Sequence, residues 1–233
     1  MNLEGKIIDL TQEIYSGMPV YPGHLKTVIF PHATHEETAK ALNTGFSYQT
    51  SGILLCDHGP THIDSISHLS PDPDAPTVDE IPLAHCITPA ICLDVSDVPV
   101  QTQFGKEKIE AELKRWNLEI RPGDTVLFYT GHYERYYGTP EYMTHQPGLT
   151  REATEFIIDQ GAINFGVDNT SPDMFLDKTY PCHMVCRARK VTHVENLCNL
   201  DKLVGKRFTF IAMPLKIRGG SGSPVRAAAI VSD

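Results

Sequence analysis

Hydrophobic residues recur along the chain in short runs that glycine and proline separate. Runs rich in valine, isoleucine and phenylalanine predict β-strands. The segment 48–55 is partly continuous in its apolar residues rather than alternating, which predicts a strand that is covered on both faces. The predicted strands are residues 6–10, 27–30, 48–55, 90–95, 125–129, 162–167, 191–195, 207–213 and 226–231.

Helical spacing of apolar residues appears between these strands. Residues 106–116 predict an amphipathic helix. Thr150 is suited to cap a second helix, which we expect to end at Gly161. Residues 181–190 predict a short helix whose last turn is basic. The alternation of strands and helices predicts a mixed α/β fold, and since no linker is evident, residues 1–233 are expected to form one domain.

Two long segments without a strand or helix pattern predict surface loops. Residues 71–82 are rich in proline, and residues 130–148 are rich in aromatic side chains. We expect residues 71–82 to lie beside the site, and residues 130–148 have the length of loops that often serve function inside a compact domain.

The composition is that of an ordinary folded protein, with 41% hydrophobic and 21% charged residues. The net charge of −9 argues against a nucleic-acid partner. No apolar run approaches the roughly 18–20 residues of a membrane span, and the first residues do not resemble a signal peptide. We therefore expect a cytoplasmic protein.

A cluster of histidines within residues 58–68 carries the candidate chemistry. The Gly-Pro pair after His58 disfavours a helix, and an extended chain places His62 and Asp64 on the same face. His58 can fold back towards them, and His68 follows closely. Imidazoles with one carboxylate suit Zn, Mn or Fe and leave positions open for water. Alternatively, these histidines cap turns or complete hydrogen bonds in the core.

Two further histidines lie near predicted strands. His132 follows the end of a strand, where active-site residues often lie, and we expect it to contact substrate. His193 lies within a strand pattern that leaves the direction of its ring open.

The cluster resembles the motif of the cyclase-like metal-dependent hydrolases, of the bacterial kynurenine formamidase and isatin hydrolase type. This family carries His-x-Gly-Thr-His-x-Asp-x-x-x-His, and the chain matches it at His58, Thr61, His62, Asp64 and His68. Further segments resemble the family along nearly the whole chain. They are residues 9–11, 17–23, 166–173, 194–197, 213–217 and 222–227.

The resemblance implies a metal centre. His58, His62 and Asp64 would hold the first ion, and Asp64 would bridge to a second ion held by His183 and Glu195. The implied cofactor is Zn or Mn, as one or two ions.

The resemblance also implies the remaining roles. His68 would be the catalytic acid and base, or a ligand of the second ion. Tyr21 stands where the formamidases carry a substrate-contacting tryptophan. The implied fold is the swivelling β/β/α type, a single domain around a central mixed sheet that assembles as a homodimer or homotetramer.

Three departures from the family pattern bear on the substrate. Pro60 replaces a glycine and removes a backbone N–H, Ser65-Ile66 replaces Ala-Pro, and Tyr21 narrows the stacking surface of the usual tryptophan. All implied ligands are retained, so the departures weaken only the expectation of N-formylkynurenine as substrate. The aromatic segment 130–148 favours isatin or another cyclic amide.

The predicted function is hydrolysis of an amide-type C–N bond by metal-activated water. The substrate would be an aryl formamide or a cyclic amide. Alternatives are a lactone or cyclic imide hydrolase on the same site, an inactive metal-binding or small-molecule-binding protein marked by Pro60, and an interaction scaffold with structural histidines.

Overall fold

The computed structural model describes residues 6–231, which divide into two compact units. One unit comprises residues 13–56, and the other comprises residues 6–12 and 57–231. The predicted single domain over residues 1–233 stays a prediction.

The strands are β1 (Ile7–Asp9), β2 (Val28–Ala33), β3 (Thr50–Leu54), β4 (His62–Asp64), β5 (Ile87–Asp94), β6 (Gln103–Phe104), β7 (Thr125–Tyr129), β8 (Gly148–Leu149), β9 (Asn164–Val167), β10 (Thr192–Glu195), β11 (Arg207–Pro214) and β12 (Gly222–Ile230). The helices are α1 (His35–Leu42), α2 (Ile66–Leu69), α3 (Leu83–Cys86), α4 (Lys106–Trp116), α5 (His132–Tyr136), α6 (Arg151–Asp159) and α7 (Pro181–Arg189).

A mixed sheet forms the larger unit. Within the described residues it has eight strands in the order β1-β12-β11-β5-β7-β9-β10-β4, and a further pairing of β12 with β4 closes it into a ring. Three successive pairings in this order, from β5 through β7 and β9 to β10, are parallel. The other pairings of the sheet are antiparallel. The predicted mixed α/β fold with a central mixed sheet is confirmed.

Two apolar layers lie on opposite faces of this sheet. Alternation along each strand separates them, so that β7 sends Leu127 into one layer and Val126 and Phe128 into the other. The layer around Leu127 fills the interior of the closed sheet. The layer around Phe128 packs against α4, α6 and α7, which explains why the central strands are buried on both faces.

The predicted helices agree closely with the structure. Helix α4 has the predicted bounds, and the side chain of Thr150 accepts a hydrogen bond from the backbone N–H of Ala153 at the start of α6. Gly161 follows α6 with a φ of 107°, a left-handed conformation that glycine adopts without steric cost. Helix α7 ends one residue before the predicted Lys190.

The smaller unit contains an antiparallel pair, β2 and β3, and helix α1. Thr34 caps α1 through a reciprocal pair of hydrogen bonds with Glu37. The prediction that 48–55 is covered on both faces is wrong for this chain, because Ile53 is 62% exposed and Leu54 is 49% exposed.

The segment 130–148 also differs from its prediction as a loop. It contains α5 and a 3₁₀ turn at Pro140–Met143, and its aromatic side chains pack among themselves. Tyr142, for example, is almost fully buried. Short helices of this kind leave little periodic signal, which is why the aromatic content alone suggested an open loop. Segment 71–82 is irregular as predicted, apart from a 3₁₀ turn at Val78–Glu80.

Across residues 6–231, the helices are too short or too polar for any of them to cross a membrane.

Candidate metal centre

The register of two neighbouring strands decides which side chains meet. Strands β4 and β10 are antiparallel, with Asp64 opposite His193 and His62 opposite Glu195. Because side chains alternate between the faces of a strand, these four project from the same face of the sheet. All four are at least nine-tenths buried.

The first group of potential ligands consists of His58, His62 and Asp64. His58 Nδ1 lies 2.7 Å from Asp64 Oδ1, and His62 Nε2 lies 3.3 Å from the same oxygen. The ligand atoms of the group lie within 4.8 Å of one another. The sequence therefore predicted correctly that these three side chains come together.

The second group consists of Asp64, His183, His193 and Glu195. His193 Nε2 lies 3.3 Å from Asp64 Oδ2 and 3.2 Å from Glu195 Oε1. His183 Nε2, which α7 contributes, lies 3.8 Å and 3.7 Å from the same two oxygens.

Both carboxylates face the two groups at once. Asp64 presents Oδ1 to His58 and His62 and presents Oδ2 to the second group. Glu195 presents Oε2 to His62 Nε2 at 3.4 Å and Oε1 to the second group. The bridging role that the family resemblance implies for Asp64 stays a prediction.

The place of His58 depends on β12. Gly222 pairs with Asp64 across the sheet, and a Cβ atom at Gly222 would lie 2.6 Å from Cε1 of His58. The adjacent Ser221 contacts the other side of the ring, where its Oγ lies 2.9 Å from His58 Nε2. The same hydroxyl donates a hydrogen bond of 2.7 Å to the carboxylate of Asp57. His58 Nδ1 is thereby directed towards Asp64.

Other partners orient two more imidazoles. His183 Nδ1 lies 2.5 Å from Asp173 Oδ2, and the Asp173 carboxylate also accepts the backbone N–H groups of Cys182 and His183. His62 Nδ1 lies 2.9 Å from the carbonyl oxygen of Pro60. In both cases Nε2 is the nitrogen that faces the cluster, an arrangement typical of metal-binding histidines. Pro60 therefore retains the contact that orients His62.

The charges of the cluster compensate one another within a buried space. Burial alone would raise the pKa of Asp64, but His193, His58 and His62 hold it well below the ordinary value. Burial alone would lower the pKa of His62, His183 and His193, but the neighbouring carboxylates raise all three above the ordinary value. Such a set is stable only while each buried charge has an opposite charge beside it, from a proton or from a cation.

His68 lies at the open side of the cluster, on helix α2. Its ring centroid is 3.9 Å from that of His58, its Nε2 is 3.7 Å from Asp64 Oδ2, and its side chain is 34% exposed. Burial among other imidazoles lowers the pKa of His68 to about 4, although Asp64 opposes the shift. The ordinary histidine pKa assumed from the sequence therefore does not apply, and at neutral pH His68 is a neutral base.

His132 lies outside both groups. It is fully buried, its Nε2 is 2.7 Å from the carbonyl oxygen of Tyr142, and its ring stacks on that of Tyr142. A ring without accessible surface touches a substrate only after a change of conformation, so its predicted substrate contact stays a prediction. Tyr21 belongs to the smaller unit, where its ring contacts His24, and its predicted role likewise stays a prediction.

Sequence reasoning missed three residues that shape the cluster: His193, Asp173 and Ser221. A usable signal existed for His193, because it lies two positions before Glu195 in a predicted strand and therefore on the same face. Asp173 ends the segment 166–173 that resembles the family, whereas Ser221 reaches the cluster only through the tertiary fold.

The donor set fits a divalent transition metal. Both groups consist of imidazole nitrogens and carboxylate oxygens, which suit Zn or Mn, and neither uses a cysteine.

Comparison with known proteins identifies similar chains. The family model described as "Putative cyclase" matches residues 8–174. An isatin hydrolase of Roseibium aggregatum is 28% identical over 196 residues, which cover 77% of this chain and 73% of the relative. A kynurenine formamidase of Bacillus mycoides is 26% identical over 220 residues, which cover 94% of this chain and 95% of the relative.

A solved structure shows the same fold. Isatin hydrolase A from Labrenzia aggregata, bound to benzyl benzoate, superposes with a TM-score of 0.86 at 26% identity, covering 97% of this chain and 94% of the other. Because the family model matches well over half of the chain, the protein belongs to the cyclase family, as its motifs predict.

Proposed function

We propose that the protein is a metal-dependent hydrolase that cleaves an amide-type C–N bond in an aryl formamide or a cyclic amide. The observation that carries the proposal is the pair of potential ligand groups that share Asp64, with the partly exposed His68 beside them. The names of the relatives, kynurenine formamidase and isatin hydrolase, support this reaction class.

The residues that would hold metal are those of the two groups. His58, His62 and Asp64 would hold one ion, and Asp64, His183 and Glu195 would take part in holding a second. A bound Zn or Mn ion lowers the pKa of water towards neutrality and polarises a carbonyl group.

His68 is placed to move the proton in the reaction. Its Nε2 is a neutral base at neutral pH, because burial lowers its pKa to about 4. It accepts a proton from the attacking water, the water oxygen bonds to the carbonyl carbon, and the C–N bond breaks. His68 then donates that proton to the leaving nitrogen, which gives an amine and a carboxylic acid, and the acid releases its own proton to solvent when it ionises.

The substrate class follows from the relatives rather than from the cluster alone. An aryl formamide and isatin share an aromatic ring bonded to an acylated nitrogen. Tyr21 is the residue we propose to contact that ring, and His132 remains a second candidate. A lactone or a cyclic imide presents the same carbonyl group and is the alternative substrate.

The remaining properties are also proposals. We propose Zn or Mn as the cofactor, a homodimer or homotetramer as the assembly, and the cytoplasm as the location. Elemental analysis and light scattering after size-exclusion chromatography test the first two.

The test of the function combines metal analysis with a substrate panel. Protein purified without a histidine tag is expected to contain metal and to hydrolyse an aryl formamide, isatin, an imide or a lactone. Metal without hydrolysis of any compound would favour a binding protein, and absence of metal would favour a scaffold.

Two variants make the test specific. His68→Ala is expected to retain metal and to lose about 10²–10⁴-fold in turnover. His85→Ala is the matched control, because His85 is the third residue of the four-residue helix α3 just as His68 is of α2. Undiminished turnover in His68→Ala would remove His68 from the mechanism.

A further inference from the structure

We propose that His193 is a ligand of the second metal ion, in addition to the residues that the family motif implies. This inference rests on the proposed metal-dependent function. It assigns to His193 the coordination position that the motif leaves to His68.

The position of His193 follows from strand pairing. His193 is directly opposite Asp64 in the ladder of β4 and β10, and it precedes Glu195 by two residues on the same face. The two carboxylates of the second group are therefore its cross-strand and same-strand neighbours. No loop conformation is needed to bring the ring to them.

The distances favour His193 over His68. His193 Nε2 is 3.3 Å from Asp64 Oδ2 and 3.2 Å from Glu195 Oε1. His68 Nε2 lies farther from Asp64 Oδ2, at 3.7 Å, and does not belong to the group whose ligand atoms all lie within 4.8 Å. The His193 nitrogen and the two carboxylate oxygens therefore lie close enough together to be ligands of one ion.

The surroundings of the ring fix its orientation. His193 is fully buried, and its ring stacks on Phe165 of the neighbouring strand, with centroids 5.4 Å apart and planes 14° apart. His183 approaches edge-on, with ring centroids 4.8 Å apart and planes at 80°. The two imidazoles therefore present Nε2 to the same pair of oxygens from different directions, as two ligands of one ion do.

The alternative role for His193 is to brace the two carboxylates by donating a hydrogen bond. Glutamine separates the two roles, because its amide donates a hydrogen bond but is a poor metal ligand. Phenylalanine keeps the stacking on Phe165 and removes both functions. His68→Gln is the matched control, since it alters the histidine that competes for the same coordination position.

The experiment is titration of metal-free protein with ZnCl₂ by calorimetry, with elemental analysis after desalting and circular dichroism to confirm folding. The wild-type chain is expected to bind two equivalents, and His68→Gln is expected to bind two. His193→Gln and His193→Phe are expected to retain one equivalent, with the second weakened by more than about 100-fold.

The outcomes separate this inference from the proposed function. Wild-type protein that binds no metal would overturn the function itself. Wild-type protein that binds only one equivalent, or a folded His193→Gln that still binds two, would overturn the role of His193 while leaving a metal-dependent hydrolase in place. If His193→Gln does not fold, His193→Phe decides by the same criterion.

Discussion

The buried imidazole of His132 makes the stability of the fold depend on pH in a way that can be calculated. Burial lowers its pKa from 6.5 to about 4, with Arg135 and His145 adding to the shift and the carbonyl group of Tyr142 opposing it. An unfolded chain restores the ordinary pKa. Between about pH 4 and about pH 6.5 the unfolded state therefore binds more protons than the folded state, and stability falls as the pH is lowered through that window.

The magnitude follows from the two pKa values. Each unit of difference corresponds to about 1.4 kcal/mol, so lowering the pH from about 7 to about 5 costs about 2 kcal/mol through this residue. For a chain of this size, that corresponds to a decrease of about 4–8 °C in Tm.

His132→Gln isolates the effect. The glutamine amide can donate to the carbonyl group of Tyr142, as His132 Nε2 does, but it does not titrate. Loss of ring stacking lowers the stability of the variant at neutral pH. We expect the difference in unfolding free energy between wild type and variant to shrink by about 2 kcal/mol between about pH 7 and about pH 5.

The assay is urea unfolding of metal-free protein across this pH range, with His85→Gln as a control that alters a histidine outside the buried stack. The control is expected to run parallel to the wild type. If the His132→Gln and wild-type curves also ran parallel, burial would not hold the His132 ring in its neutral form.

Three further predictions concern the metal centre. Gly222→Ala places a Cβ 2.6 Å from the His58 ring and is expected to weaken binding of the first ion with little change in Tm. Calorimetric titration measures the affinity, and an unchanged affinity would show that the His58 ring moves aside freely. Asp173→Asn removes the charge that orients His183 and is expected to weaken the second ion by about 10–100-fold in the same titration, whereas an unchanged affinity would assign Asp173 a purely structural role. Zinc at about 100 times its Kd is expected to stabilise the folded protein by about 2.7 kcal/mol. Thermal unfolding with and without chelator measures this stabilisation, and equal Tm values would contradict zinc binding to the native state.

Much of the fold was predictable because sequence patterns within short segments determine where its helices and strands form. Helix α4 and the central strands have nearly the predicted bounds, since apolar spacing and capping residues act within a few positions of the chain. The extended geometry of residues 62–64 likewise placed His62 and Asp64 together correctly.

The remainder depends on contacts between distant segments. The position of the His58 ring depends on Gly222 and Ser221, which are distant in sequence, and no local sequence pattern indicates that contact. The direction of His193 follows from which strand pairs with β10, and the register with Asp64 is a property of the closed sheet. The burial of His132 and Tyr142 within segment 130–148 is likewise a tertiary property.

The pKa of His68 also depends on contacts between distant segments and so could not be predicted from the sequence. From its residue type alone, His68 has an ordinary value suited to both acid and base catalysis. Burial, together with the neighbouring His58 and His183, disfavours the imidazolium and lowers this pKa to about 4, a shift that the residue type alone does not predict.

The central claim is that side chains from β4, β10, α7 and the turn before β4 converge on metal. Anomalous diffraction from crystals grown with zinc tests it most directly. We predict two peaks, one on each side of Asp64, the first bonded to His58 and His62 and the second to His183 and Glu195. A crystal that contains zinc but shows no anomalous peak next to Asp64 would contradict metal binding by these side chains.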